Sequence, residues 1–343
     1  MRRITMSAEE AQSAVLLAGE LAREYGSSES PEFLRDAPVA AHDLPRRVRE
    51  EFHAFKLLED DCLLVLAGYP IDEDKIGPTP AHWNKYTGND RTLEEEIYLF
   101  LCSSLLGDPI GWATQQDGRV LHDVLPIKGH EDEQMGSGSE QLLAWHTEDA
   151  FHPMRADYIG LMCLRNNEQA DTTFAPVADL RLALEVADVL REESFPIRPD
   201  RSHLPAHFGG GRSLSDEEKV LLERSYEWIT RLDEKPESIA VLFGDDQRPY
   251  LRIDPYFMET DSLCADSHKA LDTICAEIDR VIQGYTLQPG ETLFLDNFTA
   301  VHGRRPFKAH SEATRRWLKR SNVVRDLRKS RSRRVRSESR IIT

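Results

Sequence analysis

His146 and Glu148 stand two positions apart in the run WHTEDAF (145–151), and His302 follows 156 positions later in DNFTAVHGR (296–304). Two imidazoles and one carboxylate occupy one face of an octahedral metal ion and leave the other positions open. This is the donor set of non-haem Fe(II) oxygenases. An H-x-E pair alone is a weak signal that arises often by chance. Here a distal histidine joins it. A short apolar strand at 292–295, running into Asp296 and Asn297, is expected to deliver His302 rigidly, as tight metal binding demands. The long separation suits a ligand from a distant strand and not a local zinc loop, and the H-E-x-x-H pattern of zinc hydrolases is absent. Arg316 comes 14 positions after His302 on a second expected strand. A fixed guanidinium there suits a two-pronged grip on the distal carboxylate of 2-oxoglutarate. A surface arginine on an edge strand fits the same spacing.

These side chains need a β framework, and strand signals run from Gly111 onward. Residues 112–116 and 119–124 flank Asp117-Gly118, a hairpin signal. Residues 142–145 lead into the H-x-E pair, and 158–164 follow as a strand. Residues 239–243 and 250–253 flank a polar turn. Residues 285–287, a Gln288-Pro289-Gly290 turn, 292–295 and 316–324 complete the set. Helices are expected around this frame. Ser7 and Glu10 form a capping box ahead of apolar positions Ala11, Ala14, Val15, Ala18, Leu21 and Ala22, ended by Gly26. Further helices are expected at 44–57, at 93–106 with Ile97, Phe100 and Leu101 on one face, from Asp179 to about Arg191, at 216–232 after Ser215 and Glu218, and at 263–282. Residues 62–69 read as a buried strand. The pattern predicts an α+β chain with a double-stranded β-helix (jelly-roll) core and flanking helices. One domain would span 1–343. It would have a helical N-terminal part (1–110), a core (111–325) with a helical insert (179–282), and a basic tail (326–343).

With 343 residues, 40% hydrophobic and 30% charged, the composition is that of a globular chain, and a net charge of −17 argues against a general nucleic-acid role. No apolar run is long enough to span a bilayer, and Met1 is followed by no signal-peptide core. The five cysteines (Cys62, Cys102, Cys163, Cys264, Cys275) are odd in number, scattered and free of C-x-x-C pairs, as expected of reduced thiols in the cytoplasm. From Arg325 onward eight basic residues face two acidic ones. No aromatic residues interleave, so the tail is expected to fold back on the acidic body, with an RNA-binding arm as the alternative. Neither nucleic acid nor membrane is expected as a partner, and nothing in the sequence sets the oligomeric state.

Four segments carry a resemblance to a known family: GSGSEQLLAWHTEDAFHPMRADYIGL from Gly136, TTFAPV from Thr172, PYLRIDPYF from Pro249, and DNFTAVHGRRPF from Asp296. The chain resembles the clavaminate synthase-like Fe(II)/2-oxoglutarate oxygenases over nearly its whole length. Within them it is most similar to bacterial free L-arginine hydroxylases of antibiotic pathways, of the viomycin and streptothricin type. Glutamate at Glu148, where many relatives carry aspartate, matches the amino-acid hydroxylase branch. The resemblance implies that His146, Glu148 and His302 hold iron. It implies that Arg316 binds the distal carboxylate of 2-oxoglutarate and that Thr172 adds a hydrogen bond to it. Gln115 and Ser137, in the 136–139 loop, would meet the amino and carboxylate ends of the amino acid beside Glu148. Arg320, on the same face of its strand as Arg316, would pair with the substrate carboxylate. Asp254 and Asp200 would hold the guanidinium. Arginine hydroxylases of this group can show a second acid close after the one matching Asp254. Tyr256 stands there in this chain, which shifts that grip toward Asp200. A turn-starting Asp254 and a loop-capping Asp200 are the structural alternatives.

The implied reaction consumes O2 and 2-oxoglutarate, releases succinate and carbon dioxide, and hydroxylates free L-arginine at the β carbon, the γ carbon or both, in an antibiotic (streptothricin-like) pathway. Desaturation of arginine, or hydroxylation of another free amino acid such as asparagine, suits the same scaffold. A zinc hydrolase and a non-enzymatic binding protein are the rivals from other classes. The polar stretch 201–216, with Gly209-Gly210-Gly211, reads as a lid.

Overall fold

The structure is a computed structural model, and it describes residues 1–85, 90–131, 133–205, 214–308 and 313–343. Two sheets lie between two helical layers. The strands before the insert are β1 (Arg2–Thr5), β2 (Leu63–Ala67), β3 (Asp108–Trp112), β4 (Leu121–Val124), β5 (Leu143–His146), β6 (Tyr158–Arg165) and β7 (Thr172–Pro176). The insert carries β8 (Phe195–Ile197), β9 (Glu237–Ile239), β10 (Leu242–Gly244) and β11 (Pro249–Leu251). The chain ends with β12 (Gln283–Tyr285), β13 (Thr292–Asp296), β14 (Ala300–Arg304), β15 (Trp317–Val324) and β16 (Ile341–Ile342). The larger sheet runs β1-β2-β13-β6-β15-β3-β16, with β4 also on β15, and the smaller runs β12-β7-β14-β5.

Period-two alternation sorts the strand residues into layers. Leu63 and Val65 of β2, Ile159, Leu161 and Cys163 of β6, and Leu293 and Leu295 of β13 pack toward Phe174 and Ala300 of the smaller sheet. Their neighbours Leu64, Leu66, Tyr158, Met162 and Phe294 pack outward against the N-terminal helices. These strands are apolar at nearly every position because both of their faces are covered. On the far side, Ala175 and Val301 of the smaller sheet pack against the insert.

The N-terminal layer is α1 (Ala8–Tyr25), α2 (Pro31–Ala40), α3 (Arg46–Leu58), α4 (Glu73–Ile76) and α5 (Leu93–Ser104). The insert adds α6 (Leu184–Leu190), α7 (Asp216–Glu234) and α8 (Ala265–Val281). The capping boxes at Ser7 and Ser215 both form, and Gly26 closes α1 in the left-handed region. Helix α5 was expected to bury one face. Instead it is buried on all sides from Glu95 to Ser103. It tolerates this because Glu96 accepts a hydrogen bond from Lys319 at 2.8 Å, and Lys319 also lies 2.6 Å from Asp123. A fully buried lysine paired with two carboxylates fixes the outward face of β15.

Several expectations fail. Residues 112–124 form no hairpin. β3 and β4 both run antiparallel to β15 and in the same direction as each other, and the chain between them detours outward. Gly111 makes the detour possible, because a Cβ there would sit 2.3 Å from the Arg119 carbonyl oxygen. Helix α6 starts at Leu184 with Ala183 as its cap; Asp179 instead ends a short 3-10 turn. The strand at 292–295 does not deliver His302 directly, because the chain turns at 297–299 and crosses to the other sheet as β14. The buried strand expected at 62–69 does form, as β2 in the larger sheet, and β1 pairs beside it. The tail does fold back: β16 pairs with β3, and Arg340 reaches Asp108.

Candidate active site

β5 and β14 are neighbours in the smaller sheet, and His146 sits directly opposite His302. Gly303 permits this, since a Cβ at that position would meet the Leu143 carbonyl oxygen at 2.6 Å. The H-G-R motif is therefore a close-packing device beside the ligand. The chain then turns through Thr147 and brings Glu148 back over both rings. His146 Nε2 and His302 Nε2 lie 3.6 and 3.4 Å from the same Glu148 oxygen. One ligand atom from each residue falls within 4.8 Å of the others. His146 Nδ1 bonds the Ala144 carbonyl oxygen at 2.9 Å, which leaves Nε2 free to coordinate. Two imidazole nitrogens and one carboxylate oxygen at this separation fit a divalent iron.

Burial alone pulls His146 down, but the Glu148 hydrogen bond and the nearby Asp254 charge outweigh it and push the imidazole up to about 9. Burial and the neighbouring His146 hold His302 below its usual range. Burial opposes the charge on Glu148, yet Arg320 and the two histidines keep it well below the usual carboxylate range.

Asn297 holds Glu148 from behind. Its Oδ1 accepts the Glu148 N–H at 2.7 Å, and its Nδ2 donates to the carbonyls of Glu148 and Ala156 at 3.1 and 2.9 Å. Side chains that orient a ligand are worth one to two orders of magnitude in metal affinity. Asn297→Ala is thus expected to weaken Fe(II) binding by about tenfold to a hundredfold. Anaerobic titration measures this, and an unchanged dissociation constant would remove Asn297 from the site.

The three residues open onto a cavity of about 370 Å³ floored by Leu161 and Leu318. Every residue singled out from the sequence lines it: Gln115, Ser137, Thr172, Asp200, Asp254, Arg316 and Arg320, with His146, Glu148 and His302. Arg316, Leu318 and Arg320 face it together, so the alternation of β15 survives its register shift. Arg316 is buried, makes no ion pair among the described residues, and its Nε is without a partner. Burial draws its guanidinium down to about 10, still cationic at neutral pH. Opposite charge gathers elsewhere. Burial, with Asp200 adding its charge, pushes Asp254 up to about 7. The cavity therefore has an anion-accepting part at Arg316 and a cation-accepting part at Asp254 and Asp200.

Both structural alternatives for the acids are realised as well. Asp200 Oδ1 accepts the Ser202 N–H at 2.7 Å and Asp254 Oδ1 accepts the Tyr256 N–H at 3.1 Å, while both residues still line the cavity. Tyr256 lines it too, half exposed. Arg320 donates to Glu148, to Gln115 Oε1 at 3.2 Å and to His122 Nδ1 at 2.9 Å. Ser137 is engaged by His130 Nδ1 at 3.0 Å. Of the stretch read as a lid, 206–213 lie outside the described residues. Sequence reading missed His122, which has no motif around it. It also missed Arg304, which carries the 136–141 loop by donating to the carbonyls of Gly138 and Gln141.

A family profile described as "Taurine catabolism dioxygenase TauD, TfdA family" matches residues 100–322, and the chain belongs to that family. Its similarity extends to particular amino-acid hydroxylases. It is 46% identical over 329 residues to the enduracididine beta-hydroxylase of Streptomyces hygroscopicus, covering 95% of each chain. It is 44% identical over 344 residues to the L-ornithine/L-arginine 3-hydroxylase of Catenulispora acidiphila, covering 100% of each. The fold superposes at a TM-score of 0.90 and 40% identity, over 100% of both chains, on the non-heme iron oxygenase OrfP solved with Fe, succinate and (3S)-hydroxy-L-Arg.

Proposed function

We propose that this chain is an Fe(II)/2-oxoglutarate-dependent dioxygenase that hydroxylates free L-arginine at the β carbon, with the γ carbon as the alternative position. One observation carries the reading. The His146, Glu148 and His302 donors open onto a single cavity that has in one part a buried arginine without an ion-pair partner among the described residues, and two acids in another. The similarity to an arginine 3-hydroxylase and to an oxygenase solved with a 3-hydroxyarginine supports it.

His146, Glu148 and His302 would hold the iron. Once bound, iron with 2-oxoglutarate and O2 supplies a decarboxylation to succinate and carbon dioxide coupled to C–H hydroxylation. The protein chooses the carbon. Arg316 grips the distal carboxylate of 2-oxoglutarate, with Thr172 beside it. Arg320 and Gln115 take the substrate carboxylate, and Ser137 and Glu148 border its amino group. Asp254 and Asp200 hold the guanidinium. Fixing both ends of arginine leaves one stretch of its chain facing the metal. We read the two stacked sheets as a double-stranded β-helix, the whole of 1–343 as one oxygenase domain, the cytoplasm as its location, and an antibiotic pathway of the streptothricin kind as its setting.

The deciding assay loads Fe(II) anaerobically, then admits air with 2-oxoglutarate and L-arginine, L-ornithine or L-asparagine in parallel. Mass spectrometry follows the amino acid, and succinate is counted. A gain of one oxygen on arginine matched by succinate supports the reading. Loss of two hydrogens would make the chain a desaturase, and succinate without change in any amino acid would discard the substrate.

The acids make a further prediction. A proton on Asp254 competes with the guanidinium, so the KM for arginine should rise as pH falls through about 7. Between pH 8 and pH 6 the expected rise is about tenfold. Asp254→Asn should raise the KM at pH 8 and flatten this profile; a profile as steep in the variant as in the wild type would assign the titration elsewhere.

A further inference from the structure

A closed circuit of hydrogen bonds ties the acid-bearing turn to the metal-ligand loop, and part of it lies outside the cavity. Asp149, next to Glu148, has a φ of 51° and is buried. Its Oδ1 accepts from His203 Nε2 at 2.9 Å and its Oδ2 from Trp112 Nε1 at 2.6 Å. With Nε2 donating, His203 Nδ1 accepts the Thr114 hydroxyl at 2.7 Å. His203 is only 1% exposed and is wedged against Phe151 and Trp112, with ring centroids at 5.1 and 5.8 Å. It ends the Arg201–His203 turn that Asp200 caps. Within that turn Ser202 Oγ accepts from Gln115 Nε2 at 2.7 Å, and Gln115 Oε1 accepts from Arg320, which returns the circuit to Glu148. Thr114, Asp149 and His203 do not line the cavity, whereas Gln115, Asp200 and Ser202 do.

We propose that His203, latched between Asp149 and Thr114, is a positioning residue for substrate. It sets the Asp200–Ser202 turn at a fixed place over the cavity, so that a cationic side chain is gripped in register with the iron ligands. The histidine side chain suits the role because its two ring nitrogens face opposite ways and hold two separate segments at once. A buried polar group of this kind is costly to leave unpaired, and the circuit leaves none of its ring nitrogens unpaired. The inference rests on the arginine hydroxylase reading, since it assigns Asp200 to the substrate's cationic end.

The test is a double-mutant cycle on the Fe(II)- and 2-oxoglutarate-loaded enzyme, reading the dissociation constant for L-arginine by anaerobic calorimetry. His203→Asn should raise it about tenfold in the otherwise wild-type chain, and less than about twofold in an Asp200→Asn background, because the residue acts through Asp200. Affinity for Fe(II) should stay within about twofold, as expected of a group that does not hold the metal loop itself. Equal effects in both backgrounds would overturn the proposal, as would a parallel fall in Fe(II) affinity, which would make His203 a support of the ligand loop. Should His203→Asn fail to fold, Thr114→Val removes one latch bond at nearly constant volume, and the same cycle decides. A wild-type chain that binds no arginine would overturn both this and the hydroxylase reading. A wild type that binds it, with an additive cycle, would overturn this inference alone.

Discussion

Replacing His146 with alanine is expected to reduce arginine-dependent succinate formation by about three orders of magnitude or more. The reason is geometric. His146 Nε2 is held toward Glu148 by the Nδ1 bond to the Ala144 carbonyl oxygen, and neither neighbouring imidazole can replace it: His302 is already a donor, and His122 is committed to Arg320 and the Arg119 carbonyl. Two remaining ligands hold divalent iron weakly, so the loss should appear first as metal affinity in an anaerobic titration and then as turnover. Proton competition gives a second readout. Without metal the His146 imidazole is pushed up to about 9, so binding must expel its proton. Fe(II) affinity in the wild type should therefore climb with pH between 6 and 9, by up to about tenfold per unit. The alanine variant should lose most of that slope. Retention of a tenth of wild-type succinate would sink the ligand assignment.

Arg316→Met carries the second large effect. A buried guanidinium with no ion-pair partner among the described residues is costly to the free protein and pays off only when a carboxylate arrives. Removing it should raise the KM for 2-oxoglutarate by a factor of about a hundred to a thousand, in line with loss of one partner of a desolvated charge pair. Affinities for Fe(II) and arginine should change little. Stability should move the other way. Methionine keeps the apolar stem and removes the unpaired cation, so the unfolding free energy is expected to stay level or rise by about 1 kcal/mol. Steady-state kinetics and urea unfolding on the same protein test both halves. An unchanged KM for 2-oxoglutarate would return Arg316 to a structural role.

Much of this site is legible in the sequence because the signals are local. Period two places Arg316, directly before β15, on the same side as Leu318 and Arg320 of that strand, and a capping box marks α1 and α7 by the spacing of two side chains. Continuous apolar runs at β2, β6 and β13 announce strands covered on both faces. The donor types of His146, Glu148 and His302 state their chemistry wherever the fold puts them. Asp117-Gly118 misleads for the same reason that it informs. A dipeptide suited to a reversal cannot report that β15 captures the strands on both sides of it, and that long-range pairing turns the expected hairpin into the detour carrying Gln115.

The sequence by itself thus determined most of the long helices and strands and the chemical kind of the site. Only the tertiary structure decided who meets whom. It sends His302 across to the second sheet opposite His146, buries Lys319 between Glu96 and Asp123, and joins His203 to Asp149 across 54 positions. Each of these contacts pairs residues far apart along the chain. Their energy comes from closing a buried polar group against a partner, and no local spacing records which partner the packed layers will bring.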